Sequence, residues 1–331
     1  TLPSNHLELA LWLEADRMGW MLPAMTEEKL LNQQEVVKNE RKERYDNQPY
    51  GDWDERIQGM VFPPTHPYHH SVIGSMEDIG AATLDDVAEF FRTFYVPNNA
   101  VLTLAGDIDP ESAIDAVERY FGEIPAGAPI PPVPGETAIA PVIGETVRVE
   151  VEGAVPLPRL YLAGRIPPVD SEDFHAAEMV ATVLGSGKAS RLYRSLVQEK
   201  RIAKDVLSYV FPLQTSASLL LLWVTGYPGA NPDDLEAALL EEVDDLGSVT
   251  QKELDRAVAM TETQLLREIQ HVGSRADLLS MFDQIFDDPG RLNSEVERVR
   301  SVTRDQVRGL AERFMAPDNR AILTYIPGDS E

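Results

Sequence analysis

The residue of this 331-residue chain best placed to do chemistry is Glu40. It lies in residues 26–44, TEEKLLNQQEVVKNERKER, where Thr26 before Glu27 and Glu28 reads as a helix cap with acids in the first turn, suited to the positive end of the helix dipole. Leu30, Gln33, Val37, Glu40 and Arg44 recur at intervals of three and four, so they share one face. Glu40 therefore stands in line with two apolar residues, although residues 38–44 taken alone read equally as a solvated charge run, and what favours a site comes from the rest of the chain. The only histidine cluster is His66, His69 and His70. A His-x-x-His pair ligates a metal when a helix raises both rings on one face; Pro67 between His66 and His69 works against that geometry. The run Gly185-Ser-Gly-Lys188-Ala-Ser190 has the look of a phosphate loop, but Thr182 and Ala189 stand where a second Gly and a Ser or Thr are needed, and a helix precedes it in place of a strand.

Composition limits what such residues could do. A chain with 43% hydrophobic and 25% charged residues is an ordinary globular protein, long enough for two domains with cores of their own. With no cysteine, disulfides and thiolate metal sites are excluded, and any metal must be held by His, Asp or Glu. A net charge of −26 argues against nucleic acid and anionic membrane surfaces as partners. The longest apolar run, residues 219–224, is a buried strand in length and predicts no membrane span.

The elements that must position Glu40 follow from periodicity. Helical spacing marks residues 5–18, 26–44, 83–95 and 110–121, and alternation marks a strand at 100–107. Residues 125–134, PAGAPIPPVP, suit a semi-rigid linker. Beyond it, strands are expected at 145–153, 159–166 and around Leu219, with helices at 171–184, 190–200, 232–245 and 250–271, then a last helix and strand. The expected domains are 1–125 and 137–331, joined by a Pro/Gly-rich linker at 126–136. The chain also repeats itself. Thr, Asp, Val, Phe, Pro and Asn coincide at an offset of 220 from Thr83/Thr303 to Asn99/Asn319, and a shift of one then aligns Ala-Val-Leu-Thr at 100–103 with Ala-Ile-Leu-Thr at 321–324. Thr26 and Leu30 likewise match Thr250 and Leu254, which sets Glu40 opposite Gln264. The carboxylate is present in one copy only. The second copy spends 158 residues between Glu145 and Thr303 where the first has 82 before Thr83, so about 75 residues of the first copy, its opening strands and first helix, are expected to be missing and its domain N-terminally truncated.

Together these stretches resemble the pitrilysin/insulinase-like zinc peptidases, the inverzincins. The resemblance is carried by TLPSNHLELALWLEADRM, EVVKNERKERYDNQPYG, HPYHHSVIGSMEDI, FYVPNNAVLTLAGDID and GSGKASRLYRSLVQEKRIA, and it covers nearly the whole chain. It implies a zinc ion held by a His-x-x-Glu-His helix and by a Glu about seventy or more residues downstream, whose counterpart here is Glu40. Gln33 stands where some members carry a further Glu that supports the site. No His-x-x-Glu-His occurs in these residues; the resemblance places that motif, with the general base, upstream of Thr1. Two imidazoles and a carboxylate leave zinc one open position, where bound water reaches a pKa of about 7 and attacks a peptide carbonyl as the intervening Glu takes its proton. Family members also close two such halves around a peptide, with an Arg and a Tyr from the non-catalytic half; here Val197 and Lys204 occupy those places, so Arg191 and Tyr193 are expected to be packing and helix-start residues.

The resemblance thus implies an α+β chain of two homologous domains, each a mostly antiparallel sheet with helices on one face, the first metal-bearing and the second non-catalytic. It implies a zinc metalloendopeptidase acting on peptides, with Zn2+ as cofactor and a second homologous half or subunit as partner, in which this chain alone is inactive. A non-catalytic, substrate-clamping subunit of a peptidase complex is the alternative. Bacterial relatives are often exported, which favours the periplasm over the cytoplasm.

Overall fold

The computed structural model describes residues 1–132 and 138–328; positions 133–136 of the expected linker lie outside the described residues. In chain order the helices are α1 (Leu7–Trp20), α2 (Glu27–Arg41), α3 (Trp53–Val61), α4 (Met76–Ala81), α5 (Leu84–Phe94), α6 (Pro110–Phe121), α7 (Phe174–Gly185), α8 (Pro232–Asp244), α9 (Gln251–Gln270), α10 (Val272–Phe286), α11 (Glu295–Arg300) and α12 (Arg304–Phe314). The strands are β1 (Glu145–Gly153), β2 (Arg159–Ile166), β3 (Ala203–Phe211), β4 (Ser218–Gly226) and β5 (Asn319–Pro327). The chain divides into two units. Unit 1 comprises Thr1–Lys42, Ile73–Val133 and Leu265–Ser294; unit 2 comprises Glu43–Val72, Pro134–Gln264 and Glu295–Glu331.

Unit 2 holds a five-stranded sheet in the order β1-β5-β2-β4-β3. Only β1 and β5 run parallel; the other pairs are antiparallel, as the expected fold class requires. Leu160, Leu162, Leu220, Leu222, Val224 and Ile322 face a core closed by α7, α8 and α12. The other face is covered too. Tyr161, Ala163, Leu219, Leu221, Leu323 and Tyr325 pack under Tyr50, Ile57, Val61 and Phe62, contributed by α3 and its flanks. The reason is legible in β2 and β4, whose residues are apolar at odd and even positions alike, so both faces need shelter.

The internal repeat survives as geometry. Thr83 caps α5 in a reciprocal pair with Asp86, and Thr303 caps α12 in the same way with Gln306. Asn99 Nδ2 donates to the Phe94 carbonyl at 2.8 Å, and its counterpart Asn319 to Phe314 at 2.7 Å. Past the asparagine the two copies diverge. Residues 319–327 become β5, a strand flanked on both sides, whereas the stretch expected as a strand at 100–107 carries no ladder, and among the described residues all strands belong to unit 2. A strand is defined by its neighbour's hydrogen bonds, and among the described residues no strand pairs with 100–105.

Candidate functional site

Glu40 lies in the last turn of α2. The Thr26 hydroxyl accepts from the Lys29 amide at 3.3 Å, so the helix starts where the cap residue predicts. Its inward positions are Leu30 and Gln34, both buried, followed by the half-buried Val37, Lys38 and Arg41. Gln33 and Arg44 are exposed, so the inward stripe runs one residue off the expected Gln33–Glu40–Arg44 line. Segment 74–82 draws the helix round. Gln34 Nε2 donates to the Ala82 carbonyl at 2.8 Å, and Arg41 donates to Gly74 at 2.8 Å, so the two ends of α4 are tied to positions 34 and 41 of α2. Glu40 sits half-buried on the flank of that seam. Immediately after it the helix widens into a π-turn over Lys42–Asp46, a local unwinding often found beside functional residues.

The histidines are used otherwise. His66 is buried and stacked on Phe62 with centroids 4.7 Å apart; its Nδ1 accepts from the Tyr68 amide at 3.1 Å, which leaves the proton on Nε2 to donate to Ser216 Oγ at 2.9 Å. His69 donates from Nδ1 to the Phe62 carbonyl at 2.7 Å. Both rings therefore brace the loop that covers the sheet. Among the described residues no three His, Asp or Glu side chains come together as a metal-binding group. A single carboxylate does not hold zinc, so these residues by themselves do not fit the ion.

Arg191 has a structural part. It is buried, grips Glu253 through Nε and Nη2 at 2.8 and 3.0 Å, and donates from Nη1 to the Asp245 carbonyl at 2.9 Å. Burial would raise the Glu253 carboxyl, but the Arg191 guanidinium and the Thr250 donors outweigh it and hold the group at about 2. Val197 lies half-buried in the π-helical segment Tyr193–Glu199, and Lys204 is exposed near the start of β3. At the phosphate-loop lookalike, a Cβ on Gly185 would lie 2.4 Å from the Ser208 amide, so that glycine serves close packing of α7 on β3.

One arrangement was not evident in the sequence. His175 on α7 reaches Glu178 with Nδ1 at 2.7 Å and the buried Glu295 with Nε2 at 2.6 Å. Burial disfavours its charge, yet the two carboxylates prevail and raise its pKa to about 9. The spacing of His175 and Glu178 on one helix was a local signal; Glu295, 120 positions away, offered none.

A family model described as the peptidase M16 inactive domain matches residues 81–261. The zinc protease PqqE of Helicobacter pylori is 29% identical over 281 residues, which is 84% of this chain and 61% of that protein. An uncharacterised zinc protease of Streptomyces coelicolor is 25% identical over 252 residues, 72% of this chain and 53% of its own length. The chain thus spans less than two thirds of either relative. Among solved structures, a protease from H. pylori superposes with a TM-score of 0.89 at 25% identity, covering 98% of this chain and 78% of that one. A peptidase M16 inactive domain from Pseudomonas fluorescens gives 0.84 at 20% identity, covering 99% and 76%, a likeness of fold alone.

Proposed function

The chain belongs to the M16 peptidase family, and we propose that it is part of a zinc-dependent metalloendopeptidase to which it contributes Glu40 as one metal ligand, being inactive by itself. In this reading Gln33 supports the site, residues 1–125 belong to the metal-bearing domain, residues 137–331 form the non-catalytic domain, and a second homologous half or subunit completes the enzyme around a peptide. The reading is carried by one observation: a half-buried carboxylate at position 40 where the repeated copy has Gln264. Relatives named zinc proteases agree with it at the level of the family. It is tested in the complete protein, by sequencing the coding DNA upstream of the Thr1 codon for a His-x-x-Glu-His and then measuring bound zinc and cleavage of a fluorogenic peptide with and without Glu40→Gln. Loss of zinc and of cleavage is expected; unchanged activity in the variant would remove Glu40 from the site.

A second reading has an observation of its own. The matching family model is that of an inactive domain. A non-catalytic, substrate-clamping subunit would be recognised by an upstream segment without those histidines and by peptide binding that chelators leave untouched.

A further inference from the structure

Unit 2 contains a cavity of about 320 Å³ between the end of β1 and the turn that follows the π-helical segment Lys42–Asp46, lined by Tyr45, Asp46, Asn47, Asp52, Gly153 and Tyr325 among others. That volume is at the small end of the range for ligand sites, enough for one amino-acid side chain or a small amine. Its walls are built to stay in place. Tyr50 adopts φ +62, and a Cβ on Gly51 would come 2.0 Å from the Tyr45 carbonyl oxygen, so the turn is fixed by a left-handed residue and an obligatory glycine. Tyr325 donates to Asp52 Oδ1 at 2.5 Å, and the Tyr50 hydroxyl donates to the Leu157 carbonyl at 2.7 Å, so the aromatic walls are pinned by their polar ends.

The lining itself carries only acidic charge, with the Arg56 and Arg159 guanidiniums set against Asp52 and Tyr50. It offers two carboxylates, Asp46 and Asp52, three tyrosine rings, and the side-chain amides of Asn47 and Gln48, and none of its residues is Lys, Arg or His. Asp52 is already paired with Arg56 through its other oxygen, which leaves Asp46 as the carboxylate for an incoming charge. The Tyr50 ring already shows this preference within the protein: the Arg159 guanidinium stacks over it at 4.1 Å. From this we infer that the cavity binds a guanidinium or ammonium group, the side chain of an arginine or lysine or the head of a small amine, with Asp46 as its ion partner and tyrosine rings as its walls. The inference is independent of zinc and of Glu40.

The test titrates the full chain with agmatine by calorimetry and by tyrosine fluorescence, with butylurea as the neutral counterpart. Saturable one-to-one binding of agmatine alone is expected, weakened about tenfold by Asp46→Asn. Gly153 lines the cavity and an added Cβ there meets no atom within 4 Å, so Gly153→Leu is expected to fold and to abolish binding. Failure of agmatine to bind, equal binding of butylurea, or binding unaltered by both substitutions would each overturn the proposal. A capped Ala-Arg-Ala peptide separates the two sources of the group. Tighter binding than agmatine assigns the cavity to a polypeptide; weaker binding assigns it to a free amine.

Discussion

His175 is held as an imidazolium between a half-buried and a buried carboxylate, and this has a consequence for stability. Its pKa rises from the ordinary 6.5 to about 9 in the folded chain, so the folded state binds the proton more tightly than the unfolded state. The stabilisation is fully present below pH 6.5 and is lost as pH climbs through about 9. Its size is at most about 3 kcal/mol, since a tenfold change in proton affinity corresponds to roughly 1.4 kcal/mol. Urea unfolding of wild type against His175→Gln between about pH 6 and 10 should give two curves that converge above about pH 9; parallel curves would show that His175 is not charged. Arg191 makes a contrasting case. Its fork grips Glu253 with two nitrogens, and lysine would keep the charge while losing the second bond. Arg191→Lys should therefore cost about 1–3 kcal/mol at neutral pH, read as a lower urea midpoint with unchanged slope.

The repeated helix-Asn-strand element puts the same residue into two environments. Asn319 is buried; its side-chain carbonyl accepts from the amides of Ile143 and Arg165 at 3.1 and 3.2 Å while its amide donates to the carbonyls of Arg165 and Phe314, both at 2.7 Å. Asn99 is exposed, and its amide makes the bond to Phe94. Asn319→Ala strands several buried groups and should cost about 2–4 kcal/mol, against less than about 1 kcal/mol for Asn99→Ala. Similar losses at the two sites, measured by thermal or urea unfolding, would contradict this difference in burial. The repeat itself was legible in sequence because caps and turns are local: Thr83 and Thr303 need only a partner three residues on. The face of α2 was legible to within one position, since periodicity fixes a stripe but not which flank a distant segment pulls inward; Gln34 is buried by Ala82 and Arg41 is tied to Gly74. Strand formation at 100–105 was not legible at all. The alternation of those residues is sound, and whether it becomes a ladder depends on a neighbour that no local pattern reports.

At the scale of the molecule, the two copies of the repeat bury very different amounts of the same surface. In unit 2 Leu310, Ile322 and Leu323 are 4%, 1% and 0% exposed; their counterparts Phe90, Val101 and Leu102 in unit 1 are 55%, 40% and 45% exposed. The residue types are as apolar in one copy as in the other, so the difference lies in what covers them. In unit 2 the cover is the sheet, where β1 and β2 flank β5, and helix α7 packed with α12. An apolar face of this kind in water favours association, at roughly 25 cal/mol for each Å² it manages to bury. The chain studied alone should therefore associate with itself or with another protein through unit 1, and bind a hydrophobic dye such as anilinonaphthalene sulfonate. Phe90→Glu should weaken both effects without unfolding unit 2, because Phe90 lies outside its core. A sharp, concentration-independent monomer in light scattering, with no dye binding, would mean that these side chains find cover in solution and that the asymmetry between the copies carries no drive to associate.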